Sequence, residues 1–435
     1  MKSTHAPGGS GQRGLSLIEL MIAVTIGLIL IAGVIQIFSA SRAAYQLSQG
    51  IARSQENARF SMDFLQRDIR MAGHAGCVND QSLLSTDSTG KITGGNIRLL
   101  FANAAQREAG DLSSLPTPLR FDVSIQGYEA NGTAPGDTRT IATTPAIGSA
   151  GDWSPALPAE LITNLDPKPI AGSDIIVLRY MSPIQATLSS MVVSTTGAST
   201  IGYPTEAATT SSKVATGTGN TGLYAIGNCG ATSVFQGSAV SNTGMSVAIS
   251  GLNKSALGYT VSSANANVAE TYSYAPNQTW LYRAETMAYY VALNPSNPQV
   301  PALYRVRWTQ SASGVPGQIS EEMVEGVESM QLLYGEDSAS ATATTATGFI
   351  NKIATAATIG DPLPNSSAGA ASALRWRRVG SVQLGLLIRG TGDRATAEQN
   401  PSLRVLDVGI TAPTDGNYRY TYETSIALRN RLFGN

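Results

Sequence analysis

The sequence predicts an α+β protein: a long N-terminal α-helix, apolar in its first half and amphipathic in its second, packed on a β-sheet-rich head. Three observations predict it. Residues 15–38 form an apolar run with a single charge. Residues 39–72 contain no proline and repeat their apolar side chains at helical spacing. Beyond them, short β-branched and aromatic segments alternate with Gly-, Ser- and Thr-rich stretches. The chain has 435 residues, 42% of them apolar, which is enough to bury a sizeable core. Only 14% are charged, against about 25% for an average soluble protein, and the formal net charge is −1. That balance excludes a highly charged disordered chain. It also excludes a protein whose main task is to grip phosphate backbones, which takes many Lys and Arg. Two His and two Cys leave little for a zinc site or a His-driven enzyme.

Residues 1–14 carry Lys2 and Arg13, no acid, and much Gly and Ser. The run that follows, LSLIELMIAVTIGLILIAGVIQIF, is 24 residues long with Glu19 as its only charge. As a helix it measures roughly 36 Å, enough to cross a hydrocarbon core of about 30 Å. Basic residues ahead of it favour a cytoplasmic N-terminus. A cleaved secretory signal has a shorter apolar stretch, of about 7–15 residues, although Ser39-Ala40-Ser41 is a passable cleavage site. A plain anchor explains the length but not Glu19, because an ionisable group in a span is costly and usually has a task.

The apolar side chains continue as Leu47, Ile51, Ser54, Ala58, Met62, Leu65, Ile69 and Ala72, with spacings of three and four that mark one helical face. Arg42, Arg53, Glu56, Arg59, Asp63, Arg67 and Arg70 fall mainly on the others. The pattern predicts one helix over residues 15–72, about 87 Å long. Gly27 and Gly33 read as ordinary membrane-helix glycines or as points of close helix approach.

In the head, 174–181, 287–293, 303–308, 382–388, 403–410 and 418–426 read as strands. The second and third form a hairpin around a 294–301 loop. Met323, Val324, Val327, Met330 and Tyr334 sit at helical spacing, which predicts a helix over 321–334 with Ser320 as its N-cap, its end open to a strand reading. Residues 186–269 carry only Glu206, Lys213 and Lys254 as charges and read as long loops or a loosely β-structured insertion; an adhesive face is the functional alternative. Residues 337–373 share the bias.

Gly14-Leu15-Ser16-Leu17-Ile18-Glu19, set between a basic leader and a long apolar helix, resembles the type IV prepilin signature. Gln55-Glu56-Asn57-Ala58-Arg59-Phe60, Asp68-Ile69-Arg70-Met71-Ala72-Gly73 and Gly76-Cys77 are similar to the start of PilW-type minor pilins. Val324-Glu325-Gly326-Val327-Glu328, Leu333-Tyr334-Gly335 and Leu428-Arg429-Asn430-Arg431 extend the resemblance. J-type pseudopilins of type II secretion are similar but shorter. The resemblance implies a leader at 1–14, a transmembrane and filament-core helix at 15–38, its amphipathic continuation at 39–72, and a pilin-like head at 73–435 with an insertion at about 186–269. It implies cleavage by prepilin peptidase between Gly14 and Leu15 and N-methylation of Leu15, where most relatives have Phe. It implies that Glu19 pairs with the N-terminal amine of a neighbouring subunit and sets filament register, since a buried charge is tolerated only when paired. The plainer alternative is that Glu19 sits at headgroup level.

The implied location is the inner membrane, single pass with a cytoplasmic N-terminus and a periplasmic head, and then the pilus near its tip. The implied partners are other minor pilins, the major pilin, prepilin peptidase, the inner membrane and the inner-membrane assembly platform. The implied role is priming of pilus assembly for twitching, adhesion or DNA uptake. A secretion pseudopilin and a non-polymerising membrane-anchored adhesin are the other readings. In an oxidising compartment Cys77 and Cys229 are expected to bond.

No enzyme, cofactor or metal is expected. His74 beside Cys77 is not a catalytic pair on spacing alone. Gly217 to Gly222 is low-complexity sequence, and Gly335-Glu336-Asp337 is far short of a calcium site. Arg375-Trp376-Arg377-Arg378 is the densest basic patch. It reads as a packed Trp with solvated arginines, and DNA is not expected as a direct ligand.

Overall fold

The computed structural model describes residues 14, 16–78, 85–86, 92–94, 97–103, 105–106, 112, 114–206, 222–258, 274–309, 317–337, 347–362, 367–390 and 402–428. One helix, Leu17–Met71, runs unbroken for 55 residues, about 82 Å. Its start is fixed by a capping box: the Ser16 hydroxyl accepts from the Glu19 amide, and the Glu19 carboxylate accepts from the Ser16 amide. It stops at Ala72, whose ψ of 129° is no longer helical, and Gly73 at φ +78° turns the chain away. The expected faces are found. Ser54, Ala58, Met62, Leu65 and Ile69 are buried, and the seven charged side chains named above are exposed. Leu65 and Ile69 are fully buried and contribute about 1.5–3 kcal/mol each.

The head contains two main sheets. The nine-stranded sheet is built on Trp280–Asn294. One edge of that strand pairs with Ile175–Thr187. The other edge is shared: Gly222–Gly227 occupies its beginning and Asn297–Thr309 the remainder. Thr232–Gly237 and Ile97–Leu99 extend the sheet on one side, Ile125–Ala130 and Trp153–Ser154 on the other, and Gly317–Glu325 lies outside Asn297–Thr309. The four-stranded sheet has the order Lys352–Ala354, Val327–Glu336, Val379–Arg389, Arg419–Ala427. The spine helix, the inner faces of both sheets and Trp376 enclose the largest apolar core.

Asp174 joins the sheets. Its backbone amide donates to Met330 O, its Oδ2 accepts from the Leu332 amide at 2.8 Å, and its Oδ1 accepts from the Ala130 amide at 2.8 Å. Burial pushes this carboxyl well above its usual range.

Several expectations are corrected. The 321–334 segment is not a helix, and Ser320 is no cap: Gly317–Glu325 and Val327–Glu336 are two strands of different sheets. Gly326, at φ +85°, turns the chain between them, a conformation that suits glycine. The 403–410 strand is a hairpin of Ser402–Val405 and Val408–Thr411, because Leu406 and Asp407 both take positive φ as a two-residue turn of this kind requires. The 294–301 loop is mostly strand, closing at the Asn294–Asn297 pair.

The 186–269 insertion is β-structured where described. Ser190–Val192, Ser199–Gly202 and Gly244–Val247 form a small sheet over its own core, and Gly222–Gly227 and Thr232–Gly237 belong to the nine-stranded sheet. Leu15, residues 217–221 of the low-complexity run and residues 429–431 of the C-terminal motif lie outside the described residues.

Candidate functional site

From Leu17 to Phe38 every Leu, Ile, Val, Met and Phe side chain is more than half exposed, from Leu17 at 76% to Phe38 at 70%. This is the one described helix long and apolar enough to cross a membrane. An uncovered rod of this kind needs lipid or other apolar helices around it. At its start Gly14 is exposed and Ser16 is extended, with φ −66° and ψ 147°. The capping box turns the Glu19 carboxylate toward the N-terminal end, with Oε2 3.1 Å from the Ser16 amide nitrogen. An anion there also meets the positive end of the helix dipole. Gly14 and Glu19 thus lie at one end of the rod.

The rod is fixed to the head by polar and covalent ties. Asp68 is 2% exposed. Its Oδ2 accepts from the Tyr289 hydroxyl at 2.5 Å and from Arg305 Nη1 at 3.2 Å. Arg305 also grips Glu321 through Nε and Nη2, and Glu321 takes a further bond from Arg307 at 2.7 Å. Burial, then the neighbouring Asp68 charge, pushes the Tyr289 hydroxyl far up, so it stays a donor.

Beyond the helix end, Cys77 is bonded to Cys229, the two separated by 152 positions. Cys229 sits in the turn between Gly222–Gly227 and Thr232–Gly237. Thr232 Oγ1 donates to Ala75 O beside it, and Gly76, at φ +81°, lies against the Tyr282 hydroxyl where a side chain would not fit. Cys77 is therefore oxidised, and His74 Nδ1 lies 2.8 Å from Met181 O.

The basic patch is not a patch. Trp376 is fully buried against Tyr334, with ring centroids 4.8 Å apart, and donates to Gly360 O. Arg375 makes a two-pronged pair with Glu336, at 2.8 Å for each bond. Arg377 donates to Asp122 O and pairs with its carboxylate, and Arg378 is 7% exposed. The expectation of solvated arginines is corrected: these cations are drawn inward by buried acids and carbonyls. Glu336 is spent on Arg375, and Asp337 accepts from Thr347 and Gly348.

Sequence reasoning missed two other buried groups. Arg120 holds Asp122 with two bonds of 2.7 Å. Burial alone would raise the Asp122 carboxyl, but Arg120, Arg377 and Arg179 hold it below its usual value. Arg179, 1% exposed, donates to Thr117 O and Val123 O. The available signal was the alternation of these charges with Ile and Val inside strand-like runs.

A bare apolar rod with a capped acidic start, continuous with a helix buried in a β-rich head, is the architecture of a type IV pilin-like protein. The comparisons agree. A family model for the prokaryotic N-terminal methylation motif matches residues 9–35. A model for type IV pilus-assembly protein W matches residues 288–430, about a third of the chain. No curated protein and no solved structure matches. The two matches support a type IV pilin-like protein and are consistent with a PilW-type minor pilin. The second match begins inside Trp280–Asn294 and takes in the rest of that hairpin, the Gly326 turn and the four-stranded sheet.

Proposed function

We propose that this protein is a minor pilin of a type IV pilus that helps to prime assembly together with other minor pilins. In this reading prepilin peptidase cleaves between Gly14 and Leu15 on the cytoplasmic face of the inner membrane, and the Leu15 amine is methylated. The head stands in the periplasm. The rod then leaves lipid for a bundle of sister helices near the pilus tip, and Glu19 meets an N-terminal amine of a neighbour and selects the axial register. The observation that carries the reading is the wholly exposed apolar rod with Glu19 at its capped start, joined without a break to the buried half of the same helix. Twitching, adhesion and DNA uptake are the outputs such a filament serves.

The test is deletion of the gene, scoring surface pili and twitching, with complementation by wild-type and Glu19→Ala chains. Few pili in the deletion, restored only by wild type, is the expected result. Normal piliation in the deletion refutes the assembly role. Mass spectrometry of the native chain is expected to find methyl-Leu15 first; Met1 retained, or a start after Phe38, refutes the processing.

A further inference from the structure

The two sulfurs of the Cys77–Cys229 bond join the tips of two turns, and both cysteines are exposed. Each turn is held by contacts that do not pass through the bond. On the spine side, the Gly73 amide donates to Arg179 O, the Met181 amide donates to His74 O at 2.7 Å, and Ala75 bridges to Val78. Ala75 and Val78 are buried and pack with Ile97. On the insertion side, the Asn228 amide donates to Ala231 O at 3.0 Å, and Asn228 Oδ1 accepts from the Gly230 and Ala231 amides. Six residue pairs in unbroken register join the strands on either side of that turn. Thr232 Oγ1, donating to Ala75 O at 3.0 Å, ties the two sides to each other. The non-covalent fold therefore brings Cys77 and Cys229 together, with Cα atoms 4.8 Å apart, within the usual reach of a disulfide.

We propose that the Cys77–Cys229 bond is made last, on the folded head, at an exposed thiol–disulfide exchange site whose co-reactant is a soluble disulfide. Exchange needs access to the sulfurs, and both cysteines are open to solvent. The helix carries Met71 roughly 50 Å past Phe38, so the co-reactant meets the site in water rather than in lipid. Closure in an unfolded chain would require the thiols to find each other across 152 positions, a costly loop, and prior folding removes that search. In the first step one cysteine, as its thiolate, attacks the external disulfide; a mixed disulfide forms and one external thiol leaves. The second cysteine, as its thiolate, then attacks the protein sulfur of the mixed disulfide, which closes Cys77–Cys229 and releases the other external thiol. Two electrons pass from the protein dithiol to the external disulfide, and the two cysteine protons end on the two thiols released.

The test uses the full chain in detergent micelles, where Cys77 and Cys229 are its only cysteines. Dithiothreitol is added without denaturant, iodoacetamide traps thiols at intervals, mass spectrometry counts them, and tryptophan fluorescence reports the fold. Two thiols are expected to appear at a rate proportional to dithiothreitol, with native fluorescence kept. That rate should change less than about twofold between 0 and about 1 M urea, whereas opening through global unfolding would accelerate more than about tenfold over the same step. The reductant is then exchanged for oxidised glutathione, and the bond is expected to re-form at least about tenfold faster in native buffer than in urea beyond the unfolding midpoint. A bond that resists dithiothreitol until urea unfolds the head overturns the proposal. So does loss of native fluorescence on reduction, or reclosure no faster in the folded than in the unfolded chain.

Discussion

Removing the Cys77–Cys229 bond by Cys77→Ser with Cys229→Ser probes how the insertion is held to the spine. The two sulfurs close a loop of 152 positions, for which the chain-entropy relation gives roughly 5 kcal/mol at room temperature. Native disulfides typically contribute about 2–5 kcal/mol, so a loss near the top of that range is expected. The assay is urea titration of the full chain in detergent, followed by the fluorescence of Trp153, Trp280, Trp308 and Trp376, all in the head. The loss has a predicted location as well as a size. Gly222–Gly227 and Thr232–Gly237 flank Cys229, and Gly227 pairs with Trp280 in register. Native-state hydrogen exchange is expected to accelerate first in these two strands, while Val379–Arg389 keeps its protection. A stability loss below about 1 kcal/mol, or acceleration that begins in Val379–Arg389, would refute the reasoning.

Three further outcomes are expected. Glu19→Ala should abolish incorporation into sheared pili yet leave the urea midpoint of the head unchanged, because Glu19 lies far along the rod from the buried face; a shifted midpoint counts against the separation of roles. Trp376→Ala should cost about 3–5 kcal/mol, since it empties a fully buried site beneath Tyr334, and calorimetry checks it. Asp122→Asn should cost about 3 kcal/mol at neutral pH by leaving Arg120 and Arg377 without their buried anion. Its pH dependence has a definite sign. The folded carboxyl lies below its unfolded value of 3.8, so its contribution is present above that pH and is lost as pH falls through the folded value. The variant should therefore show a flatter acid limb below about pH 4, and an unchanged limb would contradict the assignment.

The spine was legible because it states its structure twice, once as an apolar run with a single charge and once as a three-and-four repeat, and no proline interrupts either. The strands 174–181, 287–293 and 382–388 were legible by length and β-branched content. The 321–334 segment misled because two strands joined by a single glycine placed Met323, Val327, Met330 and Tyr334 at spacings that mimic a helix. Gly326 was the correct punctuation, and its positive φ is invisible until the chain is folded. The hairpin at Leu406-Asp407 was hidden for a related reason: Asp407 suits positive φ, but Leu406 is not a usual choice for it. The arginines that follow Leu374 offered no warning either. Arg375 and Arg377 find their acids at Glu336 and Asp122, distances along the chain that no local pattern encodes. At the start of the rod, Gly14, Leu15 and Glu19 stand out through the resemblance to the prepilin signature, and the Ser16–Glu19 cap follows the Ser-x-x-Glu pattern that precedes an apolar helix.

The spine and the head meet closely at Gly50, whose carbonyl oxygen lies 3.4 Å from where a side chain on Gly390 would begin. Between Phe38 and that point runs a stalk of about 18 Å. In an anchored subunit this point of contact would therefore lie well beyond the end of the apolar run.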